Sequence, residues 1–142
     1  MRRLVRPVLG LLFVAGLASS ANAQQRAPGR APGPRIEELR PNPVLPAALV
    51  PFVIPEEMCQ NNNTPLVALK VYDALAVPVA ILRLRSRRAE LIDSIRMRCG
   101  KYVAIWDGTI AGGTRVPPSG VYYVNLAVDD RLSTRKVVIT NP

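Results

Sequence analysis

The chain is restricted most by a series of short runs, beginning near residue 41, in which apolar side chains recur at every second position. Across 66–72 and 121–128 alternate apolar residues share one face (Val67, Leu69 and Val71; Tyr122, Val124, Leu126 and Val128), which is the period of a half-buried strand. Further strands are predicted over 49–54, 77–84, 102–106 and 134–140. Short strands at this spacing predict an all-β fold, a small immunoglobulin- or fibronectin-III-like antiparallel β-sandwich of about seven strands.

Turn residues separate these runs. Turns are predicted at 61–65, at 73–76 and at Asp129-Asp130. Pro51 has no backbone N–H, which predicts that the first strand lies at the edge of its sheet. The stretch 83–99 fits two patterns: a hairpin of two strands, which we expect, or a short helix over 88–97.

Residues 1–23 have the three parts of a secretory signal peptide. Arg2, Arg3 and Arg6 precede an apolar run, and Ala21-Asn22-Ala23 is a cleavage pattern. The run is shorter than the roughly 20 residues that span a bilayer, so we expect cleavage rather than an uncleaved anchor. No later segment predicts a transmembrane span. The protein is therefore expected to be exported to the periplasm, the cell surface or the extracellular space.

Residues 24–40 are predicted to be a linker before a single domain over 41–142. The linker contains a tandem Arg-Ala-Pro-Gly repeat and too little apolar surface to fold alone, so it is either a plain spacer or a basic tether. The formal charge of the whole chain is +9, which becomes +6 when the three arginines of the signal are removed. A basic balance of this kind favours anionic partners.

Cys59 and Cys99 are the only cysteines in the sequence, and the sequence has no histidine. In an exported chain, two cysteines predict one disulfide rather than free thiols. A metal site built on two cysteines would lack its other ligands, and a catalytic thiol would lack a histidine base. We therefore expect no metal, no cofactor, no catalytic residue and no enzymatic activity.

Several motifs occur in the order found in a known family. They are Pro41-Asn42-Pro43, Leu69-Lys70-Val71-Tyr72-Asp73-Ala74-Leu75, Trp106-Asp107-Gly108, Ser119-Gly120-Val121-Tyr122-Tyr123 and Arg135-Lys136-Val137-Val138. Together, over about 41–142, they resemble the immunoglobulin-like domain of the flagellar hook-capping family and the related C-terminal sorting domains of type IX secretion cargo. The hook-binding region of that family has no counterpart here, and a Sec-type signal does not fit flagellar export. The resemblance therefore implies the fold and brings no catalytic residues.

The motif residues have expected structural roles. Trp106 is expected to fill the core, and Tyr122 to lie on the buried face of its strand. Asp107 is expected to accept hydrogen bonds from loop N–H groups, while Gly108 takes the positive φ of the turn. Gly120 is expected to allow close backbone approach at the start of a strand.

An arginine cluster is the strongest candidate for a binding site. If both segments of 83–99 are strands, Arg83, Arg85, Arg96 and Arg98 share an outward face that suits phosphate or carboxylate groups. Nucleic acid is not expected, because no aromatic side chains interleave with these arginines. The alternative is a solvated face whose arginine stems cover apolar surface.

Three functions follow from these features. The first is an exported, non-catalytic accessory module that contacts another exported protein or a cell-envelope component through an edge strand. The second is a binder of surface polysaccharide or lipid phosphate that uses the arginine face. The third is an orphan secretion or sorting domain. The partner and the oligomeric state are left open by the sequence.

Overall fold

The computed structural model describes residues 32–45, 47–86, 88–110 and 118–140. The predicted signal peptide (1–23) and the first part of the predicted linker lie outside these residues. Within them, the regular structure consists of strands and two short 3-10 helices, Glu56–Met58 and Gln60–Asn62. None of the helices in these ranges is long and apolar enough to cross a bilayer. The strands are β1 (Arg35–Ile36), β2 (Arg40–Leu45), β3 (Ala47–Ile54), β4 (Leu66–Tyr72), β5 (Pro78–Ile81), β6 (Arg83–Leu84), β7 (Ile95–Arg96), β8 (Gly100–Trp106), β9 (Gly120–Val128) and β10 (Arg131–Ile139).

The strands form two antiparallel sheets that pack together. In the first sheet β3 pairs with β8, β8 pairs with β6, and β1 and β2 lie along the other side of β3. The second sheet has the order β5-β4-β9-β10, and β7 pairs with the start of β4. This is the immunoglobulin-like arrangement, with β3, β8 and β6 as strands B, E and D, and β5, β4, β9 and β10 as C′, C, F and G. The predicted fold class is confirmed, and seven of these strands are longer than two residues.

Strand β2 joins the two sheets along one side of the sandwich. It pairs antiparallel with β3 and, at Val44, parallel with Ile139 of β10. The sandwich is therefore closed by hydrogen bonds on this side.

The inward faces of the long strands form one hydrophobic core. The predicted buried faces are confirmed: Val67, Leu69 and Val71 of β4 and Val124 and Leu126 of β9 are fully buried. Each such side chain stabilises the fold by about 1.5–3 kcal/mol. The remaining members of the core include Ala48, Val50, Phe52, Ile54, Leu82, Ile92, Ala104, Trp106, Val128, Val137 and Ile139.

The predicted position of Pro51 at a sheet edge is wrong, because β3 has neighbours on both sides. The Pro51 carbonyl accepts a hydrogen bond from the Glu37 N–H at 2.8 Å. Since the N–H and C=O of one strand residue point to the same side, the missing N–H of Pro51 also faces Glu37. Glu37 directly follows β1, so the ladder between β1 and β3 ends at the position where Pro51 cannot donate.

The predicted end of the linker at residue 40 lies inside the folded part. Ile36 is on β1, opposite Phe52, and Leu39 is only 2% exposed. Both side chains belong to the core. The proline-rich composition that suggested a linker ends before these two apolar residues.

The predicted strand over 77–84 and both structures predicted for 83–99 are wrong. The expected strand over 77–84 is broken at Leu82, so β5 lies in one sheet and β6 in the other. The expected hairpin is also wrong, because β6 pairs with β8 whereas β7 pairs with β4. The alternative helix over 88–97 does not form either. The chain changes sheets here because it buries both Leu82 and Ile92 in the core.

The chain crossing is held by backbone hydrogen bonds among three core residues. The Leu82 N–H donates to the Leu69 carbonyl, the Leu69 N–H donates to the Ile92 carbonyl, and the Ile92 N–H donates to the Leu82 carbonyl. These bonds satisfy buried backbone groups at the point where the ladder changes partner.

Two predicted turns are held by aspartate side chains. Asp73 Oδ1 accepts the Leu75 and Val77 N–H groups, and Ala76 adopts a left-handed φ of 61° in the same turn. Asp129 Oδ1 accepts the Leu66 N–H at 2.8 Å, so the turn between β9 and β10 also fixes the start of β4.

Candidate interaction surfaces

The four arginines of the predicted anion-binding face do not lie on one hairpin. Arg83 is on β6 with Arg85 just after it, whereas Arg96 is on β7 in the other sheet, with Arg98 just after it. The common face expected from a hairpin is therefore wrong, because Arg83 and Arg96 lie on strands of different sheets.

Each arginine has its own surroundings. The Arg96 guanidinium donates to the Thr64 carbonyl at 2.8 Å, and that of Arg83 donates to the Ala89 carbonyl at 3.3 Å. Arg83 also lies opposite Ile105 on β8, where its stem is placed to cover apolar surface. Arg98 lies in a separate polar groove beside the disulfide.

The disulfide joins Cys59 to Cys99, with the two Cα atoms 5.9 Å apart. It lies just beyond the paired residues Ile54 and Gly100, so it joins the ends of two adjacent strands, β3 and β8. The groove beside it, of about 530 Å³, is lined by Glu56, Asn62, Asn63, Thr64 and Arg98 together with the disulfide. Its lining is mainly polar.

Trp106, Asp107 and Gly108 form the turn at the end of β8. The indole of Trp106 is 1% exposed, and its N–H donates to the Thr109 carbonyl at 3.1 Å. Asp107 accepts hydrogen bonds from the Thr109 hydroxyl and, at 3.0 Å, from the Thr109 N–H. Gly108 has a φ of 78°, a conformation that glycine adopts without strain.

The electrostatics of this turn favour the charged form of Asp107. The Thr109 hydroxyl and then the Thr109 N–H hold the pKa of the Asp107 carboxyl below its ordinary value, against the effect of burial. The charge of Arg83 acts in the same direction. Asp107 is therefore an anion in the neutral pH range.

Tyr122 lies at the start of β9 and anchors the preceding loop. Its hydroxyl donates to the Pro118 carbonyl, four residues upstream, at 2.9 Å, and its ring packs edge-on against Trp106. This geometry is the tyrosine corner of immunoglobulin-like sandwiches. Burial, and after it the charge of Asp73, raises the pKa of the Tyr122 hydroxyl.

The same arrangement recurs at the start of β8, and the sequence analysis missed it. Gly100 and Tyr102 have the spacing of Gly120 and Tyr122, and the Tyr102 hydroxyl donates to the Arg98 carbonyl at 2.9 Å. The close approach expected at Gly120 is wrong, because a Cβ there would meet its nearest neighbour, the Tyr122 ring, at an ordinary 4.0 Å. What distinguishes Gly100 and Gly120 is φ, at 147° and 158°. The repeated Gly-x-Tyr spacing was the signal available in the sequence.

The outward side of β4, β9 and β10, here called the outer face, is unusually apolar. The cross-strand pairs Tyr72–Tyr123 and Ala127–Leu132 lie on it, and Leu132 is 64% exposed. An antiparallel sheet with one solvated face normally alternates apolar-in and polar-out, and β9 does not. The outer face consists of Leu66, Ala68, Lys70, Tyr72, Val121, Tyr123, Asn125, Ala127, Leu132, Thr134, Lys136 and Val138.

A shallow groove of about 350 Å³ on the outer face contains a buried polar atom without a partner. Asn125 Oδ1 is shielded from solvent, and no described residue donates a hydrogen bond to it. Tyr72, Tyr123, Leu132 and Thr134 are among the residues that line the groove. An unpaired acceptor of this kind costs about 1–3 kcal/mol, so a donor from solvent or from an occupant would stabilise it.

A second groove, of about 450 Å³, lies where β5 leaves one sheet and β6 enters the other. We call it the seam groove; it is lined by Lys70, Pro78, Val79, Ala80, Ile81, Arg83, Leu91, Ile105, Asp107, Thr109 and Ile110. Of the four predicted arginines, only Arg83 lines it. Its position could not be read from the sequence, because it depends on the chain crossing at Leu82.

No cluster of three or more metal-type side chains (His, Cys, Asp or Glu) occurs in the part of the chain that the structure describes. The surface features that the structure describes are an apolar sheet face, a groove of mixed polarity and a polar groove. No protein-family model, no curated protein and no solved structure matches this chain.

Proposed function

We propose that this protein is an exported, non-catalytic module that acts by contact with another protein through the outer face. The main support for this proposal is the composition of the outer face. All its side chains are apolar or aromatic except Lys70, Asn125, Thr134 and Lys136. Surfaces that other proteins cover are enriched in tyrosine and depleted of charge at their centre.

The charge pattern on the outer face supports protein contact rather than a solvated surface. One of its two lysines, Lys70, is already paired with Asp93 at 2.9 Å. The central strand β9 presents Val121, Tyr123 and Ala127 outward and an apolar set inward. Strands that are apolar on both faces are typical of sheets covered on both sides.

Export and lack of catalysis are parts of the same proposal. The Cys59–Cys99 disulfide supports an oxidising compartment, in agreement with the signal peptide expected over 1–23. The absence of histidine from the sequence supports a non-catalytic role. A polyanion binder has less support, because the four arginines are divided between the two sheets.

The test compares two leucine substitutions in the cells that produce the protein. Leu132→Glu puts a charge on the outer face, whereas Leu75→Glu puts the same charge on a leucine that is 84% exposed in the turn after β4. We expect wild type and Leu75→Glu to sediment in the same complex, and Leu132→Glu to sediment as the free protein. Folding of both variants is checked by circular dichroism.

Two results of this experiment would contradict the proposal. If the wild-type protein sediments free, or if Leu132→Glu stays in the complex as Leu75→Glu does, the outer face is not the contact surface. A complex that contains only this chain would identify the partner as a second copy.

A further inference from the structure

The seam groove lies at the one side of the sandwich that β2 does not close. In one half of that side, here called the lower half, residues 90–92 bridge the two sheets. The Leu84 N–H donates to the Glu90 carbonyl, and the Leu69 N–H of β4 donates to the Ile92 carbonyl. In the upper half, β5 is the last strand of its sheet among the described residues. The groove occupies this upper half, between β5 and the end of β8.

The edge of β5 presents backbone hydrogen-bonding groups to this groove. The Leu82 N–H bonds to β4, and Ala80 lies opposite Val71. Because backbone groups alternate in direction along a strand, the N–H and C=O of Ile81 point away from β4. An added strand pairs with such groups.

The lining of the groove is apolar on both sides of that edge. Ile81 and Leu91 are 38% and 40% exposed, although both are large aliphatic side chains. Ile105 and Ile110 are half-buried and line the side formed by β8 and the residues after it. Aliphatic side chains of an extended segment would be removed from water here.

The charged groups of the groove differ in the ion pairs and hydrogen bonds that they already make within the chain. Lys70 is paired with Asp93, and Asp107 is held by Thr109. Arg83, by contrast, has its one described side-chain hydrogen bond to a neutral carbonyl at 3.3 Å. A guanidinium has five N–H donors, so Arg83 keeps donors for a carboxylate.

We propose that the seam groove binds an extended segment of a partner protein, which adds as a strand to the edge of β5, buries aliphatic side chains against Ile105 and Ile110, and places an acidic side chain on Arg83. This site shares only Lys70 with the outer face, and Lys70 is already paired with Asp93. Loss of contact at one surface therefore does not predict loss at the other.

The probe is a capped peptide, acetyl-Thr-Val-Glu-Val-Thr-amide, titrated into the isotopically labelled mature protein and followed by amide NMR. We expect saturating shifts of the Val79 and Ile81 amides and of the Arg83 side chain. If these signals do not move at millimolar peptide, or if the shifts centre on the outer face, the proposal is wrong.

Two arginine variants test the acidic contact. Arg83→Gln should weaken binding by roughly ten- to a hundredfold, because a hydrogen bond to a charged group contributes roughly 1.5–3 kcal/mol. Arg85→Gln is the matched control, since Arg85 is exposed and near Arg83 but does not line the groove. Equal affinities of the two variants would contradict the role of Arg83.

The strand addition is tested without altering the protein. A peptide with N-methyl groups on alternate amides keeps its side chains but cannot pair along one edge, so one of the two methylation registers should not bind. In the free protein, the Ile81 amide should exchange rapidly with solvent. Slow exchange would show that other residues of this chain already cover the edge, which would overturn the proposal.

Discussion

At the scale of single residues, two tyrosines anchor the chain where it enters the long strands. Tyr102 and Tyr122 each bond a carbonyl four residues upstream and follow a glycine with positive φ. The ring of Tyr102 stacks on Phe52, and that of Tyr122 meets Trp106. Each tyrosine therefore joins a loop to the core at the start of a strand.

We predict that Tyr122→Phe lowers the free energy of unfolding by about 1 kcal/mol, because the hydrogen bond to Pro118 is lost while the ring stays. Tyr123→Phe is the matched control: this neighbour faces outward, and the structure describes no hydrogen bond for it. Urea unfolding at neutral pH measures both. Equal midpoints would mean that the Tyr122 hydroxyl does not stabilise the fold.

At the scale of strands, the disulfide and the chain crossing hold different parts of the first sheet. The Cys59–Cys99 bond joins the ends of β3 and β8, which already pair along their whole length. The crossing at Leu82 positions β6, which has only two residues. The disulfide therefore reinforces a register that the ladder already determines.

We predict that the variant with both Cys59→Ser and Cys99→Ser keeps the fold but loses about 4 kcal/mol of unfolding free energy, the chain-entropy value for a loop of this length. The native amide spectrum should persist, except near residues 59 and 99. Urea unfolding gives the free energy, and the wild type under reducing conditions is the comparison. A variant without a native spectrum would show that the disulfide is needed to form the sheet.

At the scale of the whole molecule, the two long sides of the sandwich differ. On one side β2 bonds to both sheets; on the other, among the described residues, 90–92 bridge the sheets in the lower half. The folded part also begins earlier than the predicted domain boundary, because β1 carries Ile36 into the core. The N-terminal segment is thus part of the sandwich.

We predict that a protein starting at residue 41 is less stable than one starting at residue 32 by about 3 kcal/mol or more, because the buried side chains of Ile36 and Leu39 are lost. Thermal and urea unfolding of the two forms measure the difference. A third form, starting at residue 32 with Glu38→Ala, controls for a change at an exposed position of the same segment. Equal stability of all three would restore the boundary at residue 40.

Much of the fold was predictable because local patterns carry it. The alternation in β4 identifies its buried face, and aspartate and asparagine mark the neighbouring turns. The two cysteines predict a disulfide because no other pairing within the chain is possible. The strand alternation and the turns depend on residues that are close in sequence. The disulfide is predictable because the chain has only two cysteines.

The candidate surfaces depended on tertiary structure to different degrees. The apolar outer face was visible in β9, whose residues are apolar at successive positions, but its extent depends on which strands flank β9. The seam groove and the separation of the arginines were not predictable, since they follow from the crossing at Leu82 and Ile92. Thus the sequence by itself determined the fold class, the strands over 66–72 and 121–128 and the buried faces of these two strands, whereas β1 and β2 were not predicted. Only the tertiary structure decided which strands are neighbours, because burying Leu82 and Ile92 in one core outweighs the local alternation that favours a hairpin.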